Sequence, residues 1–152
     1  MTAVQRFNAL TKAEGLLKES ELAQIFDELP PVSPEAMTGK WNGGSFDSGH
    51  PVHKLLQTFK WAGKEFRSVD DIDPIVIFDE NGERKWLSEY GHARLREVKF
   101  RGVVSAALVY DKVAIIDSFR RVSDNVLMGT MDARDWPDAG IYYFYITKFE
   151  EL

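Results

Sequence analysis

The sequence predicts a mainly β protein, a small antiparallel β-barrel that is preceded by N-terminal helices and carries one short helix early in its β-rich part. Apolar residues recur at helical spacing only in the first part of the 152-residue chain. From residue 64 onward, runs of β-branched and aromatic residues alternate with turn residues at intervals of about 8–12 residues. This regular alternation favours a barrel or a sandwich over βαβ units.

We expect one cooperative unit with two parts, because 152 residues is the size of a single domain. The first is an N-terminal helical segment, residues 1–37, and the second is a β-barrel domain, residues 38–152. In the first part, Thr11 and Glu14 fit a capping box, and Ser20 is a candidate N-cap of a second helix. The pair Pro30–Pro31 ends that helix, since proline has no amide hydrogen to donate.

The β-rich part begins after a short irregular region. Gly43–Gly44 is expected to break the chain, and Pro51–Trp61 has the apolar spacing of a short amphipathic helix. Asn81–Gly82 is typical of a tight hairpin turn. The predicted strands are Lys64–Val69, Ile75–Phe78, Arg84–Ser88, His92–Arg101, Val103–Tyr110, Val113–Val122, Val126–Met131 and Ile141–Phe149.

Composition excludes several classes of function. The chain has no cysteine, so it has neither disulfides nor thiolate metal sites. Its formal charge is −5, which disfavours binding to nucleic acid. No apolar run is long enough to span a membrane, and the first residues do not have the pattern of a secretory signal. We therefore expect a soluble, cytoplasmic protein.

Gly39, Trp41 and Gly43 form the pattern GxWxG, and further segments follow at Tyr110–Asp111, Ile115–Arg120 and Val126–Asp132. Together these resemble a bacterial family named for the GXWXG motif, whose members add a C-terminal domain of unknown function. The family is similar to the calycins, the barrels that include lipocalins and fatty-acid-binding proteins. The resemblance implies a barrel that holds a hydrophobic or amphipathic molecule, and it implies no particular reaction.

Trp41 and the histidines are candidates for contact with a ligand. The glycines beside Trp41 let its indole lie flat across the closed barrel end, which favours a structural role over ligand binding. His50, His53 and His92 lack the partners of a zinc site, so we predict no metal and no cofactor. His53 is the best candidate of the three for a ligand contact, because it lies beside Leu56, near the predicted barrel mouth.

Alternation divides the predicted strand Val113–Val122 into two faces. We expect the smaller, more apolar face to line the barrel interior; it holds Ala114, Ile116, Ser118, Arg120 and Val122. The opposite face holds Ile115, Asp117, Phe119 and Arg121. Because a buried guanidinium needs a partner, Arg120 is expected to bind either a carboxylate such as Asp132 or the anionic end of a ligand.

The predicted function is the binding of a small hydrophobic or amphipathic ligand, such as a fatty acid or phospholipid, in the barrel cavity. No nucleophile–base pair can be placed from the sequence. The alternatives are a calycin-like enzyme, a haem protein that uses His53 or His92, and an interaction domain. We expect a homodimer through Ile141–Phe149 and the 51–61 helix, and peripheral membrane contact for lipid exchange. The predicted ligand contacts are Phe78, Leu108, Ile116, Met128, Arg120, Tyr143, Tyr145 and His53.

Overall fold

Two helices and a 3-10 turn precede the first strand in the computed structural model, which describes residues 1–150. Helix α1 spans Ala3–Thr11, α2 spans Glu19–Glu28, and the 3-10 turn spans Pro34–Met37. A capping box does start α1, but it is formed by Thr2 and Gln5. The sequence-based assignment of a box to Thr11 was wrong, because Thr11 is the last residue of that helix. Helix α2 begins one residue before the predicted cap.

Nine strands and a third helix make up the rest of the described chain. Helix α3 spans Pro51–Phe59, between β1 and β2, and a second 3-10 turn spans Ser88–Tyr90. The strands are β1 Gly39–Ser45, β2 Trp61–Ser68, β3 Asp71–Phe78, β4 Arg84–Trp86, β5 Ala93–Phe100, β6 Val103–Tyr110, β7 Ile115–Ser123, β8 Val126–Ala133 and β9 Tyr142–Lys148.

Eight of these strands form a closed antiparallel barrel. Their order is β2-β1-β9-β8-β7-β6-β5-β3, and pairing of β2 with β3 closes the ring, while β4 adds to β3. The predicted fold class is therefore confirmed, with helices before the barrel and one helix after the first strand. No helix within residues 1–150 is long and apolar enough to cross a membrane.

Gly43 and Gly44 lie inside β1, so the predicted break at this pair was wrong. Both glycines are needed there for close packing. A β-carbon on Gly44 would come within 2.1 Å of the Tyr145 ring, and one on Gly43 within 2.6 Å of the Trp61 ring. The pair thus makes room for two large aromatic rings on a continuous strand.

The segment between α2 and the 3-10 turn joins the barrel wall through its backbone. The carbonyl oxygen of Val32 accepts a hydrogen bond from the Ala106 amide on β6, at 2.9 Å. The carbonyl oxygen of Pro30 accepts one from the Arg121 amide on β7, at 2.8 Å. The Ser105 hydroxyl lies 3.0 Å from the Val32 amide and accepts its hydrogen. Residues 30–32 therefore satisfy backbone groups of two neighbouring strands.

Two separate apolar clusters stabilise the fold. The inner cluster draws residues from strands all around the barrel, including Trp41, Phe66, Leu108 and Phe119. The outer cluster lies between the N-terminal helices and the barrel wall; its buried members are Phe7, Leu22, Ile25, Phe26, Leu29, Phe46, Met128 and Tyr143. Burial of aliphatic and aromatic side chains at about 25 cal/mol per Å² makes both clusters major contributors to stability.

The two surfaces on which the homodimer expectation was based are largely covered within the chain. Strand β9 is hydrogen-bonded to β1 on one side and to β8 on the other. The apolar side chains of α3 that are buried, Val52 and Leu56, belong to the inner cluster. Dimerisation therefore stays a prediction, and the apolar residues of these two surfaces no longer support it.

Candidate functional site

Helix α3 covers part of the barrel interior. It begins after His50, whose Nδ1 accepts a hydrogen bond from the Val52 amide at 3.1 Å, and Pro51 fits the first helical turn. It ends at Lys60, which adopts a left-handed conformation with φ of 57°. The apolar spacing of the helix places Val52 and Leu56 on the side that faces the barrel.

A small cavity lies beneath this helix. Its volume is about 30 Å³, enough for a group the size of a water molecule or slightly larger. A second cavity of similar volume adjoins it and shares five lining residues, Val52, Leu56, Ile75, Tyr110 and Met131. The other residues of the first cavity are Trp61, Lys64, Asp117, Tyr142 and Phe144. The lining is mostly apolar, so its few polar groups determine what can bind.

Lys64, Asp117 and Tyr110 form a polar cluster at this cavity. The ammonium of Lys64 donates to three oxygens: Pro74 O at 2.9 Å, Tyr110 Oη at 3.0 Å and Asp117 Oδ2 at 3.1 Å. Tyr110 Oη in turn donates to Asp117 Oδ2 at 2.9 Å. The side chains of Lys64 and Asp117 are only 2% and 1% exposed. All three ammonium hydrogens of Lys64 are therefore used.

Aromatic rings surround the ammonium group. The Nζ atom of Lys64 lies 5.2 Å from the ring centroid of Phe144, 5.6 Å from that of Tyr110 and 5.8 Å from that of Trp61. Burial lowers the pKa of Lys64 and raises the pKa of Asp117, and the attraction between the two charges opposes both shifts. Burial also raises the pKa of Tyr110 well above its ordinary value, so Tyr110 keeps its proton and donates it.

One atom of this cluster has no protein partner. Asp117 Oδ1 is buried and makes no hydrogen bond to any described residue. A buried carboxylate oxygen without a donor is costly, by about 1–3 kcal/mol or more for a charged group. Such an atom at a cavity is the type of feature that a bound molecule satisfies.

A groove opens between α3 and the strands β1 and β2. It has a volume of about 190 Å³, and it shares Leu56 and Trp61 with the cavity. His53 lies in this groove, where its Nδ1 is 2.7 Å from Ser45 Oγ and its Nε2 is 3.7 Å from Asp47 Oδ2. Ser45 Oγ also bonds the Tyr142 hydroxyl, which lines the cavity. The pair Ser45–His53 therefore fastens α3 to β1 beside the cavity.

Arg120 does not face the barrel interior, and the assignment of the two faces of β7 was inverted. Its side chain is buried against the outside of the wall, where Nη1 donates to the carbonyl oxygens of Phe26, Asp27 and Leu29 at 2.9–3.3 Å. The guanidinium also lies over the Phe26 ring, 4.8 Å from its centroid. It neutralises the carboxyl end of α2, and its partners are these carbonyls instead of Asp132 or a ligand.

The other predicted ligand contacts are spread over three regions. Leu108 belongs to the inner cluster, although it does not line either cavity. Met128, Tyr143 and Tyr145 belong to the outer cluster beneath the helices, and Phe78 and Ile116 are 40% and 39% exposed. The structure thus does not bring the predicted set together around one cavity.

The contacts of Trp41 and His92 are with other residues of the fold, outside the barrel cavity. Trp41 is 1% exposed, and its Nε1 donates to the Met37 carbonyl oxygen at 2.8 Å. His92 stacks on Trp86 with a centroid separation of 4.1 Å, and its Nδ1 lies 3.0 Å from Asp73. Neither His53 nor His92 lines the barrel cavity. Among residues 1–150, no group of three or more histidine and carboxylate side chains could hold a metal ion.

The sequence predictions did not include the cluster of Lys64, Asp117 and Tyr110, because these residues lie far apart in sequence. A signal was present in each strand, however. Asp117 alternates with Ile115 and Phe119, and Lys64 alternates with Ala62 and Phe66. A single charge between two apolar residues on the same strand face indicates a buried ionic group that needs a partner.

Comparison with known proteins agrees with this architecture. A crystal structure of a protein from Thermomonospora curvata is 39% identical, covers 99% of this chain and 100% of its own, and superimposes with a TM-score of 0.91. No match was found among curated proteins. The model described as GXWXG protein matches residues 24–82, and the one described as Domain of unknown function (DUF4334) matches residues 91–148. The chain therefore belongs to the GXWXG family, with both of its characteristic parts in order.

Proposed function

We propose that the protein binds a small, mainly apolar ligand inside the barrel, beneath α3, with the polar group of the ligand at the cluster of Lys64, Asp117 and Tyr110. The unpartnered Oδ1 of Asp117 is the observation that carries this proposal. The site combines an apolar lining, a few convergent polar groups and perturbed pKa values, which together are typical of ligand sites.

The size of the site favours a small ligand over a fatty acid or phospholipid. Each cavity measures about 30 Å³, and a long acyl chain needs far more space than that. A larger ligand would have to displace α3 from the barrel. Lipid binding and contact with a membrane surface therefore stay predictions, and they depend on movement of this helix.

The groove offers a route to the cavity. Leu56 and Trp61 line both spaces, so displacement of these two side chains would connect them. The bond between Ser45 and His53 lies at the same place and would have to loosen as α3 moves. Entry of a ligand therefore depends on the hydrogen bond between Ser45 of β1 and His53 of α3.

The proposal is tested by titrating the protein with small apolar molecules while recording backbone amide NMR spectra. We expect saturable shifts at Leu56, Trp61 and Asp117. The variant Leu56→Trp, which fills the cavity, should abolish these shifts while the fold is kept. Saturable shifts confined to the outer cluster around Met128 and Tyr143 would contradict the proposal.

An enzyme is the second candidate, and Lys64 is the observation that favours it. A desolvated lysine in an apolar cavity can condense with a carbonyl compound to form an imine and water. Lys64 first gives one proton to Asp117; the resulting neutral amine attacks the carbonyl carbon, and the carbonyl oxygen leaves as water after taking up the proton from Asp117 and one from the nitrogen. Reduction by borohydride in the presence of pentanal, followed by peptide mass spectrometry, should then modify Lys64. No adduct at Lys64 would exclude this candidate for that aldehyde.

A further inference from the structure

We infer that the ligand of the barrel site is a neutral alcohol whose hydroxyl donates its hydrogen to Asp117 Oδ1. This inference rests on the proposed function, and it adds the chemical class of the ligand. It reverses the expectation of an anionic head group, because the group left to be satisfied at the cavity is a hydrogen-bond acceptor.

The hydrogen bonds already present in the cluster determine this selectivity. Lys64 donates all of its ammonium hydrogens to Pro74, Tyr110 and Asp117. Tyr110 uses its single hydrogen on the other oxygen of Asp117. No hydrogen remains in the cluster for an acceptor on the ligand. An ether, a ketone or a carboxylate would therefore leave Oδ1 unsatisfied.

Charge gives a second reason against carboxylates and excludes ammonium ligands as well. A carboxylate ligand would bring a second negative charge next to Asp117 in a water-poor cavity, where repulsion is strong. An ammonium ligand would bring a second positive charge next to Lys64. The pair Lys64–Asp117 is already balanced, so a neutral donor is the group that adds no uncompensated charge.

The second cavity provides space for the carbon skeleton. It is lined mainly by apolar side chains, including Leu55, Phe59, Ile115 and Trp136. It adjoins the first cavity and shares Tyr110 with it, so the carbons attached to a hydroxyl at Asp117 have this apolar space next to them. At about 30 Å³ each, the two cavities hold the hydroxyl and the first carbons of a short alcohol, and a longer chain such as that of 1-pentanol needs α3 to move outward.

The test compares four molecules of similar size: 1-pentanol, butyl methyl ether, pentanoate and pentylamine. Binding of each is measured by NMR titration at neutral pH. We expect 1-pentanol to bind at least about tenfold more tightly than the ether, since a hydrogen bond to a charged group is worth 1.4 kcal/mol or more. Equal binding of the ether, or tighter binding of pentanoate or pentylamine, would overturn the inference.

Variants separate the role of the cluster from effects on folding. In the triple variant Lys64→Met, Asp117→Leu and Tyr110→Phe, the cluster is replaced as a unit by apolar side chains, so no charge is left unpaired. It should bind alcohol and ether equally. The control Ser118→Ala, which changes the neighbouring residue on the outer face of β7, should keep the preference for alcohol. If none of the four molecules binds the parent protein, the proposed function fails; if they bind without preference, only this inference fails.

Discussion

Lys64 and Asp117 form an ion pair with an Nζ–Oδ2 distance of 3.1 Å, on strands β2 and β7 of the barrel. The two strands are not neighbours in the sheet, so this pair joins the wall across the interior. A buried pair of this kind is stable only while both partners are present, because either charge alone is desolvated without compensation.

The first prediction concerns this dependence. Lys64→Met should lower the free energy of unfolding by about 3–5 kcal/mol, since it leaves Asp117 buried and uncompensated. The triple variant Lys64→Met, Asp117→Leu and Tyr110→Phe should recover most of that loss. Urea denaturation of both variants measures the difference. A single variant as stable as the parent would show that Asp117 is neutral in the folded protein.

Arg120 is predicted to stabilise the attachment of α2 without affecting ligand binding. Arg120→Met should lower the free energy of unfolding by about 1–3 kcal/mol, because the carbonyls at the end of α2 lose their buried donor. The affinity for 1-pentanol should stay the same, since the side chain lies outside the barrel. Thermal unfolding and NMR titration test the two parts, and a large loss of affinity would contradict the structural assignment.

His50 is predicted to make stability depend on pH. Burial is the largest effect on its pKa and lowers it from the ordinary value of 6.5; the charge of Glu19 and a hydrogen bond involving the Gly140 backbone oppose this. Trp136 and Tyr142 pack against its ring. Protonation of Nδ1 would remove the acceptor that caps α3.

The unfolded protein therefore takes up the proton at a higher pH than the folded protein. The contribution of His50 to stability is complete above pH 6.5 and is lost progressively as the pH falls below that value. His50→Asn keeps a capping oxygen and cannot titrate in this range. The difference in melting temperature between the parent and this variant should change between pH 8 and pH 5, with the parent losing more. A constant difference would refute the prediction.

The bond between Ser45 and His53 is predicted to slow ligand exchange. Ser45→Ala removes the contact that holds α3 to β1, so 1-pentanol should enter and leave faster with a smaller change in affinity. The exposed residue Thr58, whose hydroxyl bonds within the same helix, provides the matched control Thr58→Ala. NMR line shapes during titration measure the rates, and equal rates in both variants would exclude a role for this bond.

Trp41 is predicted to act in folding alone. Trp41→Ala should cost about 3–5 kcal/mol, as expected for truncation of a fully buried aromatic ring. Trp41→Phe should lower the free energy of unfolding by less, because it keeps a buried ring and loses mainly the hydrogen bond to Met37. Denaturation curves of both variants measure this. A loss below about 1 kcal/mol for Trp41→Ala, with ligand binding abolished, would assign Trp41 to the ligand site instead.

Much of the fold was predictable from local signals. The alternation of β7 and the turn at Asn81–Gly82 depend on neighbouring residues, and they indicated strands and a hairpin that the structure contains. The side of β7 that faces inward was not predictable in this way, because both faces carry an arginine and several apolar residues. The part of the outer face around Arg120 is buried by the end of α2, and that contact joins residues more than ninety positions apart. Long-range packing therefore determines which face of β7 points into the barrel, and the local pattern does not.

The candidate site depended even more on distant contacts. Lys64 and Asp117 are separated by 53 positions, and only closure of the barrel brings them together. Each strand alone indicates a buried charge that needs a partner, because the charge lies between apolar neighbours on one face. Neither strand indicates which residue that partner is.

The backbone bonds of residues 30–32 have a consequence for shortened forms of this protein. Without residues 1–37, the amides of Ala106 and Arg121 would lose their acceptors, and the two strands would expose unpaired edges where they diverge. Unpaired edges recruit other strands and promote aggregation. The outer cluster would also be uncovered, including Met128 and Tyr143. A fragment that begins at residue 38 is therefore expected to precipitate, and the helical segment protects the barrel from self-association.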